Sequence, residues 1–555
     1  MKLKRYQTET LSVLRRFLEA ARVGGARGAY ESITREPAQA RRLGRFGGRY
    51  EPLAALPEAP YVCLRLPTGG GKTILASHAV AVARDAWIEK EYPVVLWLVP
   101  SNTIRRQTAE ALKDPRHPYR RALDEAFDRR VRVFDIADFA QLRPHDLGSQ
   151  LCVVVGTIQT LRVTNTEGRK VYAHHEELEP HFSRVPANAP GLEPREDGGG
   201  AKFSFANLLH LHRPLMIVDE AHNAVSGLTR EMQARVNPCA IIEFTATPRP
   251  RSNILHSVTA QELREAEMIK LPIFLYEHDS WQNAVNGAIA ARASLAEVAA
   301  GDAEYIRPLV LFQAQPKDQE VTAEALRRHL IEVEQIDEAK IAVVTGDQRE
   351  LDGIDLFDPA CGIEYVITVE ALKEGWDCSF AYVFCSVARI RSTTDVEQLL
   401  GRVLRMPYAQ RRRAAELNRA YAFLSEPSFG EAARSLADTL VRMGFEEDEA
   451  SDAIEPQLAL LEGDDAGAGP LFAAAAAARP VFTHALPATP ELRAALESAA
   501  RADGAQVELR DTGDGRLELV MGGPVDAALE SAVAGALPAA EREGFVYALA
   551  RHRMQ

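Results

Sequence analysis

Residues 66–73 read Leu-Pro-Thr-Gly-Gly-Gly-Lys-Thr and follow the apolar run Tyr-Val-Cys-Leu at 61–64 after a single arginine, Arg65. An apolar run that leads into a glycine-rich turn predicts a buried strand, a phosphate-binding loop and a helix, which together form the unit of a parallel α/β fold. Lys72 can reach the β- and γ-phosphates, and the Thr73 hydroxyl suits Mg²⁺. The general pattern has glycine where this chain has Leu66, and the alternative is a glycine-rich turn with an incidental lysine. The residues predicted to bind nucleotide in this stretch are Thr68, Gly69, Gly70, Gly71, Lys72 and Thr73.

A second stretch, at 214–222, is an apolar run that ends in two adjacent carboxylates, Asp219 and Glu220. Asp219 at a strand tip can hold Mg²⁺ through water, and Glu220 can polarise the water that attacks the γ-phosphate. His222 has two interpretations, since it can couple this lobe to a second one or merely cap a turn. Two acidic residues are a weak signal alone, but with the glycine-rich loop in the same α/β unit they indicate nucleotide hydrolysis.

A third stretch, Glu-Gln-Leu-Leu-Gly-Arg-Val-Leu-Arg at 397–405, has helical spacing. This spacing predicts one polar face, with the leucines and the valine turned elsewhere. The residues on that face are Gln398, Gly401, Arg402 and Arg405. Two guanidinium groups aimed at one surface suit a phosphoryl group in transfer. A solvated basic helix face is the alternative, but the position far downstream favours arginine fingers from a second lobe.

Together these stretches resemble the DEAH-type helicases and translocases of superfamily 2, and the resemblance assigns further residues. Gln7 resembles the glutamine that reads the adenine edge, whereas Gly375 and Asp377 lie in a stretch similar to the motif that contacts both strand and nucleotide. Thr245 and Thr247 resemble the motif that links hydrolysis to lobe movement. The residues placed on the nucleic-acid backbone, where hydroxyl and amide donors fit phosphate contacts, are Pro100, Ser101, Asn102, Thr157, Gln159, Gln313 and Thr368.

A narrower resemblance is to the motor (Res) subunit of type III restriction enzymes, over roughly residues 1–425. The stretches that carry it are 165–170, 205–209, 219–224, 371–382 and 397–408. The resemblance implies a DNA-dependent ATPase that uses ATP and Mg²⁺ on duplex DNA. It also implies a C-terminal nuclease domain and, in some members, a methyltransferase (Mod-like) partner.

The chain departs from that pattern at its C-terminal end. The nuclease would need an acidic residue and a Glu-x-Lys pair around a metal. The candidates are Asp318 and Glu338-Ala-Lys340, which lie inside the predicted second lobe, so we interpret them as coincidental. The chain stops near 555 without a helix stop signal. We therefore expect the nuclease domain to be absent or cut away, and predict no endonuclease activity.

Composition agrees with a cytoplasmic motor of two or three domains. The chain has 555 residues and 46% hydrophobic content, and no apolar run approaches a membrane span. The six cysteines occur singly, without a CxxC pair, which indicates neither a zinc site nor a disulfide framework. The net charge of −13 is unusual for a DNA-binding protein. Arginine clusters at 41–49, 116–132 and 411–413 could contact nucleic acid or form solvated helix faces.

Periodicity and turn residues predict two α/β lobes with parallel sheets and a small C-terminal α+β region. The resemblance implies that the two lobes are tandem RecA-like parallel-sheet P-loop NTPase lobes. The first lobe is expected over 1–255, with a helix at about 6–22, an Arg/Gly-rich insertion at about 23–60 and a loop at about 183–201. The second lobe is expected over 256–460, a linker over 461–480 and a truncated accessory region over 481–555. The sequence shows no internal repeat.

The predicted activity is ATP-dependent movement along, or remodelling of, DNA. One alternative is an RNA helicase, which would share every ATPase residue. Another is an ATP-dependent nucleic-acid clamp or scaffold within a larger complex. Because the arginine fingers come from the second lobe, hydrolysis should require closure of the two lobes.

Overall fold

The computed structural model describes residues 2–163, 166, 168–186, 189–195, 199–219, 227–278, 280–317, 319–345, 348, 350–351, 353–369, 378–387, 399–425, 431–457, 481–487, 506–511, 516–522 and 537. The chain divides into two compact units, Met1–Leu461 and Glu462–Gln555. Within the described residues, no helix has the length and apolar character that crossing a membrane requires.

The first unit begins with a sheet of seven parallel strands. They are β1 (Tyr61–Arg65), β2 (Val94–Val99), β3 (Val131–Asp135), β4 (Leu151–Thr157), β5 (Leu215–Asp219), β6 (Ala240–Thr245) and β7 (Ile254–Ser257). Their order across the sheet is β3-β4-β2-β5-β6-β1-β7. Every residue of β2, β4, β5 and β6 is buried, as expected for a parallel sheet with both faces covered. One face packs on a core that includes Leu96, Val154 and Met216.

Helices connect and cover these strands. They are α1 (Arg5–Thr34), α2 (Pro37–Leu43), α3 (Lys72–Ala83), α4 (Asn102–Lys113), α5 (Pro118–Ala126), α6 (Ile158–Leu161), α7 (Glu179–Phe182), α8 (Phe205–His212) and α9 (Gly227–Val236), with α10 (Ala260–Glu265) before the second sheet.

Helix α1 is longer than the sequence predicts and continues through a kink at Gly25, where φ is 77°. Ala29, Tyr30 and Ile33 are buried, and the Tyr30 hydroxyl donates a hydrogen bond to the Ile254 carbonyl at 3.1 Å. Part of the stretch expected as an insertion is thus a helix that packs on β7. The glycine obscured the helical pattern, because it is a poor helix former.

The second sheet also has seven parallel strands. They are β8 (Ile273–His278), β9 (Leu309–Gln313), β10 (Ile341–Val344), β11 (Tyr365–Thr368), β12 (Ala381–Ser386), β13 (Ala420–Ser425) and β14 (Ile454–Gln457). The associated helices are α11 (Trp281–Ala299), α12 (Ala323–Glu332), α13 (Glu431–Arg442) and α14 (Glu447–Asp452). The strand order is β10-β11-β9-β12-β13-β8-β14.

The two sheets have the same topology, because adding seven to each strand number of the first order gives the second. This duplication confirms the predicted pair of RecA-like lobes. The carboxyl ends of parallel strands lie at one edge of each sheet, which is where open α/β sheets bind ligands.

The second unit contains an antiparallel sheet of three strands. They are β15 (Val481–Pro487), β16 (Gln506–Asp511) and β17 (Arg516–Gly522), and β17 lies in the middle. The β16–β17 pairing is antiparallel and joins Asp511 to Leu517 and Gln506 to Gly522.

Candidate active site

The glycine-rich loop connects the end of β1 to the start of α3. Gly69 and Gly71 have φ values of 88° and 74°, in the left-handed region that favours glycine. Gly71 is the N-cap of α3 and supplies no side-chain hydrogen bond, so the first N–H groups of the helix face the loop without a side-chain cap. Lys72 follows as the first helical residue and is 8% exposed. This geometry suits the binding of a polyphosphate at a helix N-terminus.

The predicted metal ligands lie side by side. The Thr73 hydroxyl donates a hydrogen bond to Asp219 Oδ2 at 3.2 Å, although the two residues are 146 positions apart. Asp219 ends β5 and is 7% exposed. A hydroxyl and a carboxylate oxygen fit Mg²⁺, which prefers oxygen ligands and keeps several of its waters. The residues present are therefore the right kind for a magnesium ion that arrives with a nucleotide.

Gln7 lies against the same loop, from the first turn of α1. Its side chain is buried, and Oε1 accepts a hydrogen bond from the Lys4 N–H at 2.9 Å. Its Nε2 makes no hydrogen bond to the described residues and lies 2.8 Å from where a Cβ on Gly71 would be. The neighbouring Tyr6 hydroxyl donates to the Gly70 carbonyl at 2.8 Å. An amide donor held beside the phosphate loop is well placed for a purine ring nitrogen.

The helix that carries Arg402 comes from the second lobe and meets the loop. Residues 399–403 are helical, and the apolar residues Leu399, Leu400 and Val403 are fully buried, as the spacing predicts. A Cβ on Gly401 would lie 2.8 Å from Thr68 Cγ2. The helix backbone and the phosphate loop are thus in direct contact across the two lobes.

Arg405 does not lie on this helix, contrary to the prediction from spacing. It forms an isolated antiparallel bridge with Ile269, in the segment that joins the two lobes. The Lys270 N–H donates to the Leu404 carbonyl at 2.7 Å, and the Met406 N–H donates to the Met268 carbonyl at 3.0 Å. The backbone N–H and carbonyl groups that a longer helix would use for its own hydrogen bonds are therefore bonded to this segment instead.

The segment that joins the lobes also reaches the phosphate loop. A Cβ on Gly69 would lie 2.9 Å from Ile269 Cγ2. Lys270 is completely buried, and its Nζ donates to the Ser379 and Ala381 carbonyls at 3.0 and 2.6 Å. Burial lowers the pKa of this ammonium well below its ordinary value. This segment is not among the predicted site residues, although a lysine between apolar residues at 268–272 is a signal that could have located it.

The first-lobe residues predicted to grip a strand form one cluster at the carboxyl edge. Strands β2 and β4 are neighbours, and the Gln159 amide donates to the Pro100 carbonyl at 3.1 Å. The hydroxyls of Ser101 and Thr157 accept hydrogen bonds from the N-termini of α4 and α6. Asn102 is the first residue of α4. The two loops are therefore held together as one surface.

The corresponding second-lobe residues are enclosed. Gln313 is 5% exposed, and its Oε1 accepts a hydrogen bond from the Ser386 hydroxyl at 3.0 Å. Thr368 is fully buried, and its carbonyl accepts from the Ala314 N–H at 2.7 Å. In this conformation both residues lie within the second lobe, and neither side chain faces solvent.

The threonines predicted to couple hydrolysis to movement lie beside the phosphate loop. Thr245 ends β6 in register with Arg65, the last residue of β1. Its carbonyl accepts from the Leu66 N–H at 3.0 Å, and its hydroxyl accepts from the Thr247 N–H at 3.2 Å. A displacement of residues 245–247 would therefore also move the backbone at Leu66, where the phosphate loop begins.

Several arginines of the three basic clusters bind carboxylates within the protein. Arg42 pairs with Glu262 at 2.7 Å, Arg120 with Asp124 at 2.7 Å, and Arg132 with Asp146 at 2.7 Å. The buried Arg412 pairs with Asp302 at 3.1 Å. These carboxylate partners account for the four arginines without a nucleic-acid contact.

The two charged residues of the Glu-x-Lys motif in the second lobe form ion pairs with different partners. Glu338 pairs with Arg327 at 3.0 Å, and Lys340 pairs with Glu364 at 3.3 Å.

Asp318 lies outside the described residues. So do five of the predicted site residues, namely Glu220, His222, Gly375, Asp377 and Gln398.

A phosphate loop on β1, an acidic residue at the tip of β5 and a second RecA-like lobe against the loop define a two-lobed P-loop NTPase. Residues 1–250 match the family described as "Type III restriction enzyme, res subunit". The first 250 residues are a domain of that family, which places a helicase-family ATPase domain in this chain. The curated proteins give no match.

Two solved structures are similar to the chain at low identity. One is titled "ATP-dependent Type ISP restriction-modification enzyme LlaBIII bound to DNA", with 13% identity, a TM-score of 0.42, and coverage of 83% of this chain and 31% of the other. The second is helicase Lhr of Mycobacterium smegmatis bound to ssDNA and AMP-PNP, with 13% identity, a TM-score of 0.38, and coverage of 87% and 59%. The chain thus spans about a third of the first protein and under two thirds of the second.

Proposed function

We propose that this chain is a nucleic-acid-stimulated ATPase that moves along or remodels DNA, as the motor part of a type III-like restriction or defence system. The observation that carries the proposal is the contact of Gly401 with Thr68, because it brings the second-lobe arginine helix onto a phosphate loop whose Thr73 already meets Asp219. The domain family of residues 1–250 supports the same conclusion.

The residues act mainly by positioning and by charge. The N–H groups at the start of α3 and Lys72 hold the β- and γ-phosphates, and Gln7 reads the adenine ring. Thr73 and Asp219 hold Mg²⁺, which supplies charge neutralisation at the phosphates. Glu220 orients the attacking water, while Arg402 and Arg405 stabilise the transferred charge. The proposed division is a nucleotide-binding lobe at 1–255 and an arginine-bearing lobe at 256–460.

The cluster of 100–102 and 157–159 is the proposed nucleic-acid surface of the first lobe. Loop hydroxyls, amides and helix N-termini suit backbone phosphates, which position a strand without reading its sequence. A strand that bridges both lobes would favour their closure, so hydrolysis should rise when DNA is added. A methyltransferase or nuclease partner follows from the family and is part of the same proposal.

The test is steady-state ATP hydrolysis with Mg²⁺, alone and with duplex DNA, single-stranded DNA or RNA, using Glu220→Gln as the blank. Strong stimulation by duplex DNA that disappears in Glu220→Gln is the expected result. Stimulation by RNA alone would overturn the DNA assignment and retain the ATPase. ATP-dependent DNA binding without displacement of a triplex-forming strand would indicate a clamp instead of a translocase.

A further inference from the structure

A short segment that follows α13 packs against the phosphate loop. Residues 443–449, called the strap below, begin where α13 ends and run into α14. The Met443 carbonyl accepts a hydrogen bond from the Thr68 N–H at 3.0 Å, although the two residues are 375 positions apart in the chain. The strap therefore holds the backbone of the loop from the side of the second lobe.

The next residue of the strap touches the coupling motif of the first lobe. Gly444 has a φ of 96°, and a Cβ there would lie 2.7 Å from the Ala246 carbonyl oxygen. The positive φ and the close approach both require glycine. Ala246 lies between the two coupling threonines, so the strap contacts the phosphate loop and this motif at once.

An ion pair in which only the arginine is buried fixes the strap to the strand before the loop. Arg65 has a side chain that is 3% exposed, and its Nη2 lies 3.1 Å from Glu446 Oε1 and 2.5 Å from the Gly444 carbonyl. Its Nη1 donates to the Ser257 hydroxyl at 3.0 Å, and its guanidinium lies over the Phe46 ring. Burial lowers the pKa of Arg65, and Glu446 opposes that shift. A guanidinium this deeply buried depends on its carboxylate partner.

The far end of the strap is anchored to the segment between the lobes. The Glu449 carboxylate accepts hydrogen bonds from the Ala260 and Gln261 N–H groups at 3.3 and 3.1 Å, at the start of α10. It also accepts from the Glu446 N–H at 3.1 Å. The two glutamates thus connect α10, the strap and the strand before the phosphate loop.

We propose that the strap couples the nucleotide state of the phosphate loop to the second lobe, with Arg65 and Glu446 as positioning residues for hydrolysis. This inference rests on the proposed ATPase function. When phosphates enter the loop and shift its backbone, the hydrogen bond from Thr68 to Met443 transmits the shift to the strap and so to α13. Glu446 keeps the strap in contact with the loop while the lobes close.

The test compares Glu446→Gln with Glu364→Gln in the full chain. The control removes the same charge from a half-buried second-lobe pair, in which Arg292 and Glu364 are 2.8 Å apart. We expect Glu446→Gln to lower the DNA-stimulated kcat about tenfold to hundredfold because the lobes are misplaced. The KM for ATP should stay within about twofold, since the phosphate ligands are intact. Equal kcat values for the two variants, or a rise in KM alone, would overturn the proposal.

Hydrogen exchange on the wild-type chain gives a readout that needs neither a variant nor turnover. Adding a non-hydrolysable ATP analogue with Mg²⁺ should change exchange in peptides that cover 443–449. No change while the analogue binds would overturn the strap and leave the proposed function standing. Binding and a strap response without hydrolysis on any nucleic acid would overturn the motor and retain the strap. If the analogue does not bind at all, both proposals are wrong.

Discussion

The two lobes share one strand order, yet their equivalent helices begin differently. In the first lobe, β1 leads to α3, whose N-cap Gly71 gives no side-chain hydrogen bond. In the second lobe, β8 occupies the same place, and the N-cap of α11 is Ser280, whose side chain accepts from the Asn283 N–H at 3.2 Å. A serine cap satisfies the N–H groups that a phosphate would otherwise use. The comparison teaches that one fold becomes a nucleotide site through its helix cap and loop, not through its sheet.

The largest effect should come from removing the loop cation. We expect Lys72→Met to lower kcat about 10²–10³-fold, because a charge directed at the transferring phosphoryl group is lost. Steady-state hydrolysis with DNA measures this. The matched second-lobe change, Ser280→Ala, should cost about 1 kcal/mol of stability and leave the KM for ATP unchanged. A comparable loss of kcat in Ser280→Ala would contradict the contrast between the two helices.

The next largest effect is on the pH dependence of stability, and it arises from equivalent positions in β6 and β13. Two residues before the strand end, the first lobe has Glu243 and the second has Phe423, which stacks on Tyr276 with centroids 4.6 Å apart. Burial raises the pKa of Glu243 to about 7, and the Tyr61 hydroxyl donates to its carboxylate at 3.0 Å. When the pKa of a carboxyl group is higher in the folded than in the unfolded state, the group stabilises the folded protein at pH values below its unfolded-state pKa. This stabilisation is lost as the pH rises to its folded-state pKa.

The free energy of unfolding should therefore fall between pH 4.5 and about 7 because of Glu243. The contribution is up to about 3 kcal/mol. In Glu243→Gln this part of the pH dependence should be absent. Denaturant unfolding of both proteins across that range measures the difference, and parallel stability curves would refute the assignment.

A smaller effect is expected where the lobes touch. Gly401→Ala would place a methyl group 2.8 Å from Thr68 Cγ2 and push the arginine helix off the loop. We expect kcat to fall about tenfold to hundredfold with little change in the melting temperature. Gly287→Ala is the control, since its Cβ would meet the Phe423 ring at 2.9 Å within the second lobe. That control should lower stability more than kcat, and the reverse result would contradict the role of the contact.

The smallest effect should come from Gln7. Gln7→Ala removes a buried amide beside Gly71. The KM for ATP should rise about tenfold, because one hydrogen bond to the adenine ring is lost. Preference for ATP over GTP should fall with it. Gln39→Ala is the control, because Gln39 is also buried and donates to the Leu255 carbonyl at 2.5 Å. An unchanged ratio of the KM values for ATP and GTP would remove Gln7 from the base site.

Strong apolar runs in the sequence coincide with strands of the structure, among them Val94–Val99, Leu215–Asp219 and Ile341–Val344. Strand β14 was not predicted, because a proline and two polar residues give it no such run. The loop residues Lys72 and Thr73 and the strand end Asp219 were located because local chemistry specifies them. The order of the strands within each lobe is not visible in the sequence, since strand order depends on pairings between distant segments rather than on residue identity.

The contacts between the lobes could not be predicted for a similar reason. Met443, Gly444 and Glu446 have no pattern of their own, and their importance follows from what lies opposite them. The departure of Arg405 from its helix depends on pairing with Ile269, far away in the sequence. Helical spacing describes neighbours within one segment and contains no information on such partners.

The bridge between Arg405 and Ile269 places that arginine next to the segment that joins the two lobes, about which the second lobe would turn during the proposed closure. When one body turns about a hinge, points near the axis travel a short arc, whereas points at the far edge, such as β10, travel a long one. A given rotation of the second lobe therefore changes the position of Arg405 only slightly. The length of a mechanical step consequently depends on parts of the second lobe far from the axis, whereas the accuracy of the chemistry depends on Arg405 close to it. The step length can therefore change without displacing Arg405.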